Sequence, residues 1–133
     1  IYGMGHAVYT LSDPRAVLLK EFASQKAEKY GFADDYKIIS LVEELTVAAA
    51  KECVTNCIRH AKGNELYICI IERNDLFDIT ITNNGTAPSE PIREGSGLSS
   101  LRRSIESAGG EMHTAYKPRF ALLLTLPEKE NNI

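Results

Sequence analysis

Glu52, Asn56 and His60 recur at four-residue spacing within "KECVTNCIRH", residues 51 to 60. That spacing stacks them along one side of a helix, beside Arg59. A side that is apolar for two turns and then carries acid, amide, guanidinium and imidazole has the make-up of a pocket wall, although solvated surface accounts for the same residues. A second pattern is Gly95-Ser96-Gly97, set directly before a helical stretch that starts at Leu98. A glycine turn feeding a helix N-terminus presents backbone N–H groups and the positive end of the helix dipole, a combination that suits phosphate. A third is the set Cys53, Cys57, His60 and Cys69, the donor types of a Cys3His zinc site. There is no CxxC pair, and Cys53 and Cys57 fall on an apolar face, which favours buried thiols.

The element that must position the first pattern is a helix from Leu41 to Ala61, opened by Ser40 with Glu43 three residues on and closed by Gly63. At about 100° per residue its side chains sort into three stripes. Val47, Ala50, Cys53, Val54, Cys57, Ile58 and Ala61 are the expected core face, and Glu44, Lys51, Thr55 and Lys62 the expected solvent face. Leu41, Leu45 and Ala49 lead into Glu52, Asn56, Arg59 and His60 on the third. An ordinary surface helix needs only two.

Around that helix, Ser12-Asp13-Pro14 starts an earlier one that runs to Gly31, and "FADDYKII" reads as a connection with a short strand over 36–39. "LYICIIERN" and "LFDITIT" form a hairpin through Asn74-Asp75. The stretch from Asn83 to Ser96 is a loop long enough to carry function, and the helix from Leu98 to Ala108 stops at Gly109-Gly110. "EMHTAYK" and "FALLLTLP" make a second hairpin through Pro118-Arg119. The order α, α, β, β, loop, α, β, β predicts an α+β layer of helices on a mainly antiparallel sheet.

With 133 residues, 44% hydrophobic and 25% charged, the chain has the size and balance of one soluble domain. A net charge of −3 with scattered basic residues excludes the footprint of a nucleic-acid binder. No apolar run reaches the roughly 18 to 20 residues of a membrane helix. Three cysteines without framework spacing fit reduced thiols in a cytoplasm.

Taken together, "KECVTNCIRHA", "ITNNG", "GSGLSSLRRSIESAGGEM" and "FALLLTLP" resemble the nucleotide-binding boxes of the ATP-binding catalytic domain of bacterial sensor histidine kinases. The resemblance runs from about Leu41 to Pro127, within the short-lid, nitrate-sensor-like subfamily of the GHKL superfamily. It implies a two-layer α/β sandwich with a mixed, mainly antiparallel sheet and about three helices on one face. One domain is expected over 1–133, with 1–12 a remnant of a preceding dimerisation region and 128–133 a frayed tail.

The family's roles, carried across residue by residue, make Asn56 the amide that holds a magnesium ion on the ATP phosphates. Glu52 becomes the acidic residue that orients a magnesium-bound water or assists proton transfer. Arg59 and His60 match positions near phosphates and ribose; Gly95, Ser96, Gly97 and Leu98 match the turn that wraps the phosphates. Thr86 to Glu94 corresponds to a short lid, from which Arg93 either reaches the phosphates or stays a solvated charge. In "TNNG", Asn83 and Gly85 match the adenine box, but Asn83 stands where the family has aspartate and Ala87 where it has a second glycine. An asparagine carbonyl still accepts from the adenine amine, without charge assistance.

The implied activity is that of a protein-histidine kinase, with ATP and Mg2+ as cofactors. His6, His60 and His113 lack the setting of a phosphoacceptor, so that histidine is expected in a separate dimerisation domain of a homodimeric full-length protein. A response regulator is the expected downstream partner, nucleic acid is not, and the domain is expected in the cytoplasm with any membrane anchor elsewhere. The departures at Asn83 and Ala87 leave open a GHKL module that has lost catalysis and serves in protein interaction or regulation. An anti-sigma-factor-type serine kinase shares the asparagine box and stays open as well.

Overall fold

The computed structural model describes residues 14–128. The expected helix start at Ser12-Asp13, the surroundings of His6, the remnant over 1–12 and the tail over 129–133 lie outside the described residues. The chain groups into two compact units, Ile1–Lys37 and Ile38–Ile133.

In the first unit, α1 (Pro14–Tyr30) buries none of its residues, and Val17, Leu18, Leu19 and Phe22 are exposed. It ends at Gly31, whose φ of +80° is a left-handed cap that glycine adopts without Cβ strain. Phe32 N–H closes that cap on the Ala27 carbonyl at 2.7 Å. The strand expected over 36–39 and the helix start at Ser40 are both replaced by helix, because α2 (Ala33–Asn56) begins directly after the cap. Asp34 and Asp35 in its first turn complement the dipole, Tyr36 N–H reaches the Phe32 carbonyl at 3.0 Å, and nothing before Gly63 breaks helix. Ser40 is therefore interior to α2 and caps nothing.

The second unit is an α+β fold. After Asn56 the helix widens into a π-turn, Cys57–Ala61, and stops where Lys62 turns left-handed at φ 52°. β1 (Leu66–Arg73) and β2 (Leu76–Asn83) form the expected hairpin, with Asn74 and Asp75 both at positive φ, as a type I′ turn requires. α3 (Ser96–Ser107) ends in a left-handed cap at Gly109, and β3 (Glu111–Ala115) with β4 (Ala121–Pro127) makes the second hairpin. All pairings are antiparallel, in the order β1-β2-β4-β3.

Ile79 and Ile81 from β2, Leu122, Leu124 and Leu126 from β4, and Met112 from β3 form the sheet side of the core; Leu98, Leu101 and Ile105 of α3 and one stripe of α2 cover them. That α2 stripe is Val42, Leu45, Thr46, Ala49, Cys53, Cys57 and Ala61. The expected core face was thus displaced by part of a turn. Leu45 and Ala49 move in from the third stripe, while Val47, Val54 and Ile58 move out and are 45%, 43% and 67% exposed. Apolar periodicity limits a core face to a broad arc, and the sheet selects the part of it that is buried. Thr46 tolerates its buried place because its hydroxyl donates to the Val42 carbonyl at 2.6 Å.

Candidate functional site

The pocket flank of α2 arises from the same displacement. With Ala49 and Cys53 turned into the core, Glu52 and Asn56 lie half-buried at its margin and His60 follows on the widened last turn. These three side chains, with Ala61, Asn83, the lid from Thr86 to Arg93, Gly95, Leu98 and Phe120, line a cavity of about 690 Å³. The size suits a small-molecule ligand, and the wall changes from Ile92, Leu98 and Phe120 to acid, amide and imidazole.

Among the described residues, the side chains of Glu52, Asn56, His60 and Arg93 make no hydrogen bond or ion pair within the chain, and no buried side-chain nitrogen or oxygen is unsatisfied. Their polar atoms are therefore spent on nothing internal and stay open to the cavity. Arg102 is the contrast: its Nε donates to both Glu94 oxygens at 2.9 and 3.0 Å, its Nη2 pairs with Glu94 Oε1, and its Nη1 donates to the Met112 carbonyl at 2.6 Å. This clamp holds the end of the lid to α3 and β3 just before the Gly95 turn. The Arg102 hydrogen bond holds the Glu94 carboxyl below its ordinary range, and Glu94 in turn holds the guanidinium more firmly protonated.

Two glycines are fixed by close approach. A Cβ on Gly97 would come closer than 3.0 Å to the Glu52 carboxylate, so that carboxylate lies against the first turn of α3. A Cβ on Gly85 would collide with Ala61, including its backbone carbonyl, which accepts from Thr86 N–H at 2.9 Å. Gly85 thus seats the loop on the end of α2 and does not itself line the cavity.

"TNNG" divides its two amides between different tasks. Asn84 Oδ1 accepts from the N–H groups of Asn64 and Glu65, both at 2.9 Å, and its Nδ2 donates to Asn64 Oδ1 at 2.7 Å. It ties the end of β2 to the linker after α2. Asn83 is 2% exposed and lines the cavity, and its Oδ1 accepts the Gly85 N–H at 2.9 Å.

Of the residues singled out from sequence, the structure gathers Glu52, Asn56, His60, Asn83, Arg93, Gly95 and Leu98 around one space. Gly97 and Ser96 form the first turn of α3 beside it, and Arg59 is exposed outside the lining. Sequence reasoning missed Asn84, Phe120 and the Glu94–Arg102 clamp. The second asparagine after a strand was the one available signal for Asn84; the others depend on residues distant in the chain. The zinc alternative finds no support: among the described residues no group of three or more His, Cys, Asp or Glu is placed to hold a metal. Cys53 and Cys57 are buried and Cys69 is exposed. Burial, helped by the Glu52 carboxylate and Cys57, pushes the Cys53 thiol up to about 12. No helix among the described residues is long and apolar enough to cross a membrane.

Comparison with known proteins divides along the chain. Residues 1–64 match the family model of the citrate synthase C-terminal domain. The Deinococcus radiodurans citrate synthase is 38% identical over 47 residues, which cover 35% of this chain and 12% of that enzyme. Among solved structures, the Acinetobacter baumannii histidine kinase AdeS is similar with a TM-score of 0.52 at 15% identity, covering 90% of this chain and 66% of that one. The histidine kinase domain of the blue-light-activated kinase from Erythrobacter litoralis EL346 matches with a TM-score of 0.49 at 15% identity, over 71% of this chain and 45% of that one. The chain thus spans less than two thirds of each of these relatives, and the AdeS match establishes a histidine-kinase-like fold.

Proposed function

We propose that the second unit is the ATP-binding catalytic domain of a histidine kinase, binding Mg-ATP and passing its γ-phosphoryl to a histidine on a separate dimerisation domain. The observation that carries this reading is the convergence of Glu52, Asn56, His60 and Arg93, all without internal partners, on a cavity bordered by the Gly95 turn. The likeness of fold to AdeS supports it, as does the order of the sequence boxes.

The residues fit a hard cation: Asn56 offers a neutral oxygen donor and Glu52 a charged one on the same helix flank. A magnesium ion would supply charge neutralisation across the phosphates, which with positioning accounts for most of phosphoryl transfer. Arg93 and the N-terminus of α3 add positive potential at the same mouth, while Phe120, Ile92 and Leu98 give a planar base an apolar wall. The Glu94–Arg102 clamp positions the Gly95 turn from outside the cavity lining.

Titration calorimetry of the whole chain with ADP or a non-hydrolysable ATP analogue, with and without magnesium, tests this. Magnesium-dependent binding is expected, and a folded chain that binds neither nucleotide overturns it. A second reading, a GHKL module that has lost catalysis, has one observation in its favour: Asn83 Oδ1, the acceptor an adenine amine would use, already accepts the Gly85 N–H. If Asn83→Asp creates binding that the parent lacks, this second reading wins; phosphate on a partner's serine would point to the anti-sigma type. The citrate synthase match spans too little of that enzyme to bring its activity here.

A further inference from the structure

We propose that β1 pairs with β1 of a second copy of this chain, antiparallel and centred on Cys69, joining two four-stranded sheets into one. All of Leu66–Arg73 is in register with β2 on one side, and among the described residues its other side has no partner strand. A row of unpaired N–H and C=O groups is a template for another strand, and edges are ordinarily protected by a central charge, a proline or a bulge. This edge has none of these in its middle: the register with β2 is unbroken and the central residues are Tyr67-Ile68-Cys69-Ile70-Ile71. Tyr67, Ile68, Ile70 and Ile71 are each about half exposed.

The register follows from pleat and charge. Residues directly opposite in an antiparallel pair leave the same face of the sheet, so a two-fold pairing must centre on a residue and not between two. Ile68 and Ile70 stand opposite Ile81 and Ile79 on the helix-covered face, whereas Tyr67, Cys69 and Ile71 stand opposite Thr82, Thr80 and Asp78 on the other. Centring on Cys69 sets Ile68 against Ile70 of the second copy on the first face and Tyr67 against Ile71 on the second. It also brings Glu65 opposite Arg73 at both ends. Centring on Ile68 or Ile70 instead puts Glu65 against Ile71, or Glu72 against Ile68. Each of the three centres leaves a charge against an apolar residue, Glu72 against Leu66 in the case of Cys69, but only Cys69 also sets opposite charges across the strands, and these stabilise a pairing, so Cys69 is the favoured centre. Arg73 gives only its Nε to Asp78, and its side chain is 71% exposed.

The same symmetry supplies cover for the misplaced apolar stripe of α2. Its pocket flank faces the Gly95 turn and Leu98 of α3, and Val54 and Ile58 are exposed on the opposite flank. A two-fold normal to the sheet puts both helix layers on one side, where these two side chains of each copy are available for cover. The cavity stays open, so pairing and nucleotide binding are independent.

Sedimentation of the full chain, with a short bis-maleimide as thiol cross-linker, tests the proposal. A dimer at micromolar concentration is expected, linked through Cys69 because the other two thiols are buried. Cys69→Ser should abolish the link and keep the dimer, and Ile70→Lys should give a monomer. Should Ile70→Lys fail to fold by circular dichroism, charge reversal decides: Glu65→Arg and Arg73→Glu should each weaken the dimer severalfold, and the two together should restore it. A monomeric parent, a dimer that survives Ile70→Lys, or charge reversals with no mutual rescue overturns the pairing.

Discussion

Glu52, Asn56 and His60 on one flank of α2 share a cavity with residues of β2, the lid and α3, while Val47, Val54 and Ile58 on the other flank remain exposed. Both flanks border the same buried stripe and both are partly open to water, so exposure does not separate them. The difference lies in what other elements bring to each side. Polar groups without internal partners converge on the first from α2 and the lid, joined by Asn83 of β2 and the Gly95 turn, whereas the second carries the exposed Val47, Val54 and Ile58. A site is thus recognised here by convergence, and a docking face by a missing complement.

The comparison is broken most severely between the flanks. Cys53→Asp buries an unpaired charge at a position that is 0% exposed, and we expect a loss above about 4 kcal/mol in urea denaturation. Gly85→Ala forces the lid loop off the Ala61 carbonyl and should cost about 1–3 kcal/mol, with nucleotide binding falling alongside. Asn56→Ala should weaken magnesium-dependent nucleotide binding about tenfold or more by calorimetry, with stability within about 0.5 kcal/mol of the parent. Equal unfolding by Asn56→Ala and Cys53→Asp would mean that the flank is structural.

Arg102→Gln should cost about 1 kcal/mol. Its pH profile is the sharper readout. Because the folded Glu94 carboxyl lies below its ordinary value, the pair's contribution is complete above the ordinary carboxylate pKa and is lost as pH falls through the lowered one. The variant should therefore flatten the acid limb of stability against pH. Val54→Lys is expected to change stability by no more than about 0.5 kcal/mol, since the position is on the open flank.

Much of this was legible in the residues. The hairpins, their turn at Asn74-Asp75, the cap at Gly109 and the helix before it all rest on rules that act within a few residues. Most of the cavity lining was legible too, because Glu52, Asn56 and His60 share a helical spacing and the glycine turn marks its own helix start. The start of α2 was not: Ser40 with Glu43 imitates a cap, and only the helix already running from Ala33 denies it that role.

By itself, the sequence determined the α+β class, the two hairpins, and the residue types that a magnesium and phosphate site would need, since propensity, capping and turn chemistry are local. Tertiary structure decided which arc of α2 faces the sheet, and therefore that Val54 and Ile58 lie outside while Leu45 and Ala49 lie inside. It also assigned Asn84 to the scaffold and Asn83 to the cavity, a difference that identical side chains in adjacent positions cannot encode. Burial and hydrogen bonding depend on what lies opposite in space, and that is fixed only when β1 to β4 have found their order.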